Sequence, residues 1–192
     1  KGVWVSVNKN VKAIKNSGIH VAIIGMDGAG KSTLVKNLNN HYSQTLTSKA
    51  FFLGMHRSKS MLFLDRILGV FRRRLGLNDS YFVYQLISCI RWIYTAKHRF
   101  TTYTAIIDAN KKNIITFSDR YPMNDFLWMD MPMDGPRIQK MNPKNRLIAY
   151  FEKKEASYYR KIKYPKIVFC LNIDLKKAYQ RHTDHNEVLS QK

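Results

Sequence analysis

The chain alternates short apolar runs with longer amphipathic stretches. Ile19–Ile24 is a compact apolar run, and from Lys31 to about Tyr42 the residues Leu34, Leu38 and Tyr42 recur at helical spacing. Ala50–Leu53 predicts a second short strand. Met61–Leu75 and Ser80 to about Asn110 predict two helices, the second long and rich in aromatics. Its apolar stripe is Phe82, Leu86, Cys89, Ile90 and Ile93. NIITFS (Asn113–Ser118) and IVFCLN (Ile167–Asn172) predict a third and a fourth strand. Between them lie a loop over 121–143, rich in Pro, Met and Asp, and a helix carrying Leu147, Tyr150 and Phe151. Asp174 is placed to cap a last helix running to about His182.

Strands separated by helices imply right-handed crossovers around a parallel sheet. Near-continuous apolar strands fit a sheet covered on both faces. The expected fold is therefore three-layer α/β, with no internal repeat. Residues 1–17, rich in Lys and Asn, read as a linker or the remnant of a preceding element, and residues 18–192 as one domain. The chain starts without Met and stops at Lys192, where such a fold ordinarily adds a strand. Trimmed ends and a missing last strand are thus expected.

Composition narrows the class. At 45% hydrophobic residues the chain can bury a sizeable core. The most apolar stretch, Tyr81–Tyr94, is broken by Gln85 and Arg91 and reads as a buried helix, not a membrane span. The first residues lack the apolar centre and cleavage site of a signal peptide. Cys89 and Cys170 sit singly in apolar segments and read as free thiols in a reducing cytoplasm. The 33 Lys and Arg against 13 Asp and Glu give a net charge of +20, which draws anionic partners without naming them. The lysines are scattered, so much of this excess reads as solvated surface. Arg72-Arg73-Arg74, the densest run, reads as a solvated helix end before Gly76, with a phosphate or acidic-lipid patch as the alternative.

The chemistry is concentrated in one stretch. Gly25-Met-Asp-Gly-Ala-Gly-Lys31-Ser32 fits G-x-x-x-x-G-K-[ST], with an apolar strand entering it and an amphipathic helix leaving it. Glycines let successive N–H groups turn toward phosphate oxygens, and the positive end of the helix adds to their field. Gly25, Asp27, Gly28, Ala29, Gly30, Lys31, Ser32 and Thr33 form the expected ATP-binding segment. Lys31 is placed to reach the β- and γ-phosphates, and the Ser32 hydroxyl to ligate Mg²⁺.

The fuller string GMDGAGKSTL resembles the phosphate loop of thymidylate kinases, within the nucleoside monophosphate kinases. Asp119-Arg120-Tyr121, directly after NIITFS, is similar to that family's Asp-Arg-Tyr/His motif at a strand end. IVFCLNIDLKKAYQRH is similar, more loosely, to the strand and helix leading into the family's lid, here expected near 174–187. The resemblance implies a P-loop kinase that uses Mg²⁺ and moves the γ-phosphoryl of ATP to a small anionic acceptor, dTMP first among nucleoside monophosphates. It implies that Asp119 holds the metal shell and that Arg120 clamps the acceptor phosphate, with Tyr121 beside it. Asp27 would contact the acceptor's sugar, although any polar residue fits a variable loop position. Arg181 would stand at the lid's entry as a further ATP-binding residue, or be a solvated last-turn arginine. A homodimer is an open expectation.

The departures from the family concern the acceptor. An Arg-Glu-Pro-Gly-Gly type of sequence after the second strand is replaced by FFLGMHRSKS, where Arg57 and His56 are the available cations. PMNDFLWMDMPMDGPRI lacks the residues that shape a thymine pocket. Its Asp125, Asp130 and Asp134 read as turn caps before sugar or base ligands. Met123, Met129, Met131 and Met133, with Trp128, suit an adaptable wall or the packing of a loop. Two other readings therefore stand: a kinase of a sugar or sugar phosphate, and a nucleic-acid-associated or regulatory nucleotide-binding module. No DNA or RNA recognition motif supports the latter, and no His/Cys/Asp cluster has zinc spacing.

Overall fold

The computed structural model describes residues 4–7, 18–55, 58–76, 81–122, 127–128, 131–132, 135–138 and 145–174. The chain divides into two compact units. The first comprises Lys1–Leu53, Thr104–Tyr121 and Tyr164–Lys192, and the second Gly54–Tyr103 and Pro122–Lys163.

The first unit is built on a five-stranded sheet of β1 (Trp4–Val7), β2 (His20–Gly25), β3 (Ser48–Phe52), β4 (Ile115–Asp119) and β7 (Ile167–Leu171), in the order β1-β7-β2-β4-β3. The last four are mutually parallel, as expected of strands joined by helical crossovers. All six residues of β2 are buried, which suits the middle of a sheet covered on both faces, whereas β3 at the edge is mostly open. Trp4–Val7 adds an antiparallel edge strand beside β7, inside the segment whose polar composition reads as a linker or remnant.

Alternation sorts the side chains into two layers. Val21, Ile23 and Phe117 form a buried cluster with Val35 of α1 (Lys31–Tyr42), and Leu34, Leu38, Ile167 and Phe169 pack around it. The opposite face carries His20, Ala22, Thr116 and Ser118, all buried. There Thr116 donates to the Asn110 side chain at 2.9 Å, and Gly18 N–H to the Asn110 carbonyl at 2.7 Å. Asn110 lies near the end of α3 (Phe82–Lys111), whose residues from Thr104 onward belong to this unit.

The second unit holds α2 (Lys59–Arg74), the earlier part of α3 and α4 (Arg146–Tyr159), with the short antiparallel pair β5 (Leu127–Trp128) and β6 (Met131–Pro132) inside the expected loop. Ser58 starts α2 by accepting from Met61 N–H at 3.2 Å, and Asn145 starts α4 by accepting from Leu147 N–H at 2.8 Å. The core here joins Cys89, Ile138 and Ile148, with Trp92, Ile93 and Phe151 around it. The expected apolar stripe of α3 is corrected at two positions: Phe82 and Ile90 are exposed, while Ser88, Thr95, Ala96 and Arg99 are buried. Small side chains admit close packing, and Arg99 donates to the Tyr159 hydroxyl at 2.8 Å, so its polar head is satisfied inside. Leu147 and Tyr150 of α4 are likewise exposed, and Ile148, Glu155 and Tyr159 are its buried residues. Burial pushes the Glu155 carboxyl up, against the pull of the Ile138 and Arg137 N–H groups that it accepts.

Candidate functional site

The site is built where β2 and β4 end side by side in the first unit. Gly25 closes β2 at φ 143°, and a Cβ there would lie 2.6 Å from the Leu171 carbonyl oxygen of β7. Glycine is therefore dictated by both conformation and contact. Gly28 and Gly30 adopt φ 81° and 85°, the left-handed region, which turns the loop back toward the start of α1. Ala29 N–H donates to the Met26 carbonyl at 3.2 Å across that turn. Gly30 caps α1 without a side chain, and its first turn carries no acid, so the positive end of the helix dipole is left for an external anion.

Three charged side chains converge on the loop. Arg120 Nη2 donates to Asp27 Oδ1 at 2.6 Å, and Lys31 Nζ lies 3.5 Å from the same oxygen. Lys31 also donates to the Met26 carbonyl at 2.6 Å and is buried. Burial holds its pKa below the ordinary lysine value, with the Arg120 charge acting the same way and Asp27 and Asp119 opposing. Arg120 follows the strand in the left-handed region, φ 64°, with its N–H donating to the Ile23 carbonyl at 3.1 Å. A non-glycine residue in this region costs on the order of 1–2 kcal/mol, a strain that aims the guanidinium across the loop.

Asp119 ends β4, buried, with its carbonyl accepting from Leu53 N–H at 3.0 Å. Ser32 Oγ donates to Asp119 Oδ2, while the buried Oδ1 has no hydrogen-bond partner. A buried acceptor without a donor, beside a hydroxyl, is a donor set that fits a hard cation. Two protein ligands suit Mg²⁺, which keeps several waters and takes substrate phosphates as its other ligands.

The expected residues fall into three groups. Gly25, Asp27, Gly28, Ala29, Gly30, Lys31, Ser32, Thr33, Asp119 and Arg120 are brought together. Tyr121 is buried as a core residue, its ring centroid 5.2 Å from that of His20. Arg57, Arg181, His56, Asp125, Asp130 and Asp134 lie outside the described residues, as does the expected lid beyond Asp174. Two contacts escape the sequence reading. The Asp27–Arg120 pair joins two loops 93 residues apart, and its signal is opposite charges just beyond the ends of two apolar strands. On the same two strands, His20 Nε2 lies 2.9 Å from Ser118 Oγ, and burial pushes the imidazole down to about 4, so the ring is neutral at pH 7.

A parallel sheet whose central strand runs through a phosphate loop into a helix, with an Asp-Arg pair at the end of the neighbouring strand, defines an α/β P-loop protein of kinase-like fold. No protein-family model matches the chain. It is similar to the uncharacterized ATP-binding protein YghS of Escherichia coli K12, 24% identical over 92% of this chain and 79% of the relative. It is also similar to YghR of the same organism, another uncharacterized ATP-binding protein, 23% identical over 86% of this chain and 69% of the relative. Among solved structures it overlaps thymidylate kinase from Candida albicans at a TM-score of 0.47, with 19% identity over 85% of this chain and 67% of that one. Deoxyadenosine kinase from M. mycoides, solved with dATP bound, overlaps at 0.48 with 17% identity, over 86% and 71% respectively. These overlaps are loose, and the class rests on the topology of the chain itself.

Proposed function

We propose that the chain is an ATP-dependent phosphotransferase acting on a small anionic acceptor, with nucleoside monophosphates, dTMP first, as the leading class. The observation that carries this reading is the pairing of the phosphate loop with Asp119, whose inner oxygen is unmatched beside Ser32. The names of the E. coli relatives support ATP as the nucleotide.

In this reading the backbone N–H groups from Gly28 to Thr33 hold the donor phosphates. Lys31 exchanges the Met26 carbonyl and Asp27 for the β- and γ-phosphate oxygens. Mg²⁺, held by Ser32 and Asp119, would neutralise charge on the donor phosphates. An acceptor phosphate oxygen bonds to the γ-phosphorus as the bond to the departing ADP oxygen breaks, and Arg120 and Lys31 offset the charge that spreads over the moving group. Such an acceptor oxygen is already anionic at neutral pH, so the step needs no general base. Asp27 orients Arg120 toward the acceptor.

The absence of the family's acceptor motif after the second strand favours a second reading, a sugar or sugar phosphate as acceptor. ADP release across a panel of nucleoside monophosphates, sugars and sugar phosphates decides between them. Release with nucleoside monophosphates alone is the expected result. Release only in the presence of DNA would overturn the kinase assignment in favour of a nucleic-acid-associated module. Lys31→Ala should lower kcat by about 10²–10³-fold, and full activity in that variant would refute the phosphate-loop role.

A further inference from the structure

The solvent-facing side of α2, in the second unit, carries a pattern that phosphoryl transfer does not use. Met61 is buried, and Leu64, Leu68 and Phe71 are half-buried on its side of the helix. On the other side, one and seven residues apart, stand Leu62, Phe63 and Val70, which are 42, 62 and 43% exposed. Lys59, Arg66, Arg73 and Arg74, all exposed, interleave with them along the same ridge. The helix's single acid, Asp65, lies off the ridge and is bound by Arg91 of α3. The ridge is thus a row of apolar side chains flanked by cations, with no carboxylate on it.

We propose that this ridge is a docking surface for an anionic phospholipid bilayer. A bilayer presents a sheet of negative headgroups directly over an apolar layer, and both halves of the ridge need that combination. Phe63, Leu62 and Val70 reach the boundary between headgroups and acyl chains, while the long Arg and Lys stems let their heads stay at the phosphates. Nucleic acid would satisfy the cations but leave the exposed phenylalanine without a partner. A second copy is disfavoured by charge: ridge against ridge brings arginine to arginine, on a chain of net charge +20. The contact is peripheral, since among the described residues no helix is long and apolar enough to cross a membrane. Of the arginine triplet that reads from sequence as a solvated helix end, Arg73 and Arg74 are on the ridge.

The test is cosedimentation of the full chain with vesicles of phosphatidylcholine alone or mixed with phosphatidylserine. Binding is expected only to the mixed vesicles. Arg66→Gln and Arg74→Gln should each weaken it about fivefold, and the double variant Phe63→Ser, Val70→Ser at least about tenfold. All these positions are exposed, and unchanged far-UV circular dichroism confirms that each variant folds. Leu62→Ser provides a second apolar probe. Equal binding of the apolar variants would overturn the proposal. So would tighter binding to duplex DNA that ignores Phe63, or a dimer in sedimentation that Phe63→Ser dissociates while vesicles are not bound.

Discussion

Asp27 Oδ1 sits 2.6 Å from Arg120 and 3.5 Å from Lys31, so two cations of the loop share one carboxylate. Phosphate oxygens that attract Lys31 must compete with that carboxylate. Asp27 is largely exposed, which limits the strength of its ion pairs. Asp27→Asn should therefore tighten ATP binding by only about twofold to fivefold. The same change frees Arg120, so the acceptor KM should rise. Calorimetric titration of ATP together with acceptor saturation curves checks both halves, and weaker ATP binding in the variant would show that Asp27 does not compete for Lys31. The glycine spacing, Lys31 and Ser32 are legible in the sequence because the loop is local: every atom that forms it lies within eight residues. The Asp27–Arg120 pair is not, because only strand pairing brings residues 27 and 120 together.

At the scale of elements, β2 and β7 approach closely at Gly25. Gly25→Ala would force a Cβ to within 2.6 Å of the Leu171 carbonyl at φ 143°, whereas a Cβ at Gly30 meets nothing within 4 Å. Urea unfolding should therefore show Gly30→Ala costing about 1–2 kcal/mol from its left-handed backbone alone. Gly25→Ala should cost more than about 3 kcal/mol. A second prediction concerns the facing strands β2 and β4. His20 is held at about 4, below its unfolded value of 6.5, so the unfolded chain takes up the proton first as pH falls. The stabilisation is complete above pH 6.5 and is lost progressively between pH 6.5 and 4, up to about 3 kcal/mol. Glu155, pushed up by burial, contributes in the opposite sense, stabilising at low pH and less as pH rises. Comparing the wild type with His20→Gln isolates the histidine. The variant should lose the slope in this window, and an unchanged slope would assign it to other groups.

For the whole molecule, the net charge of +20 and the phosphate loop both favour anions, and mass action separates them. Mg²⁺ and ATP at about one hundred times their Kd should raise stability by about 2.7 kcal/mol. A general charge effect would persist in Lys31→Ala, whereas binding in the loop would not. Thermal unfolding of both proteins with ATP and with an equal concentration of inorganic triphosphate reads the difference.

Periodicity and local chemistry by themselves determine the four parallel strands, the main helices and the phosphate loop. Each depends on neighbours in the chain: apolar runs need burial, helical spacing needs one inward face, and the loop needs its glycines. Tertiary structure decided the rest. It added Trp4–Val7 as an edge strand, because pairing with β7 supplies hydrogen bonds that composition does not reveal. It buried Arg99 and left Phe82 and Ile90 outside, because a satisfied guanidinium can be buried and a helix exposes whichever side lacks a neighbour. It set Asp119 against Ser32 and Arg120 across Asp27, because parallel pairing of β2 with β4 brings the ends of two distant strands to one place.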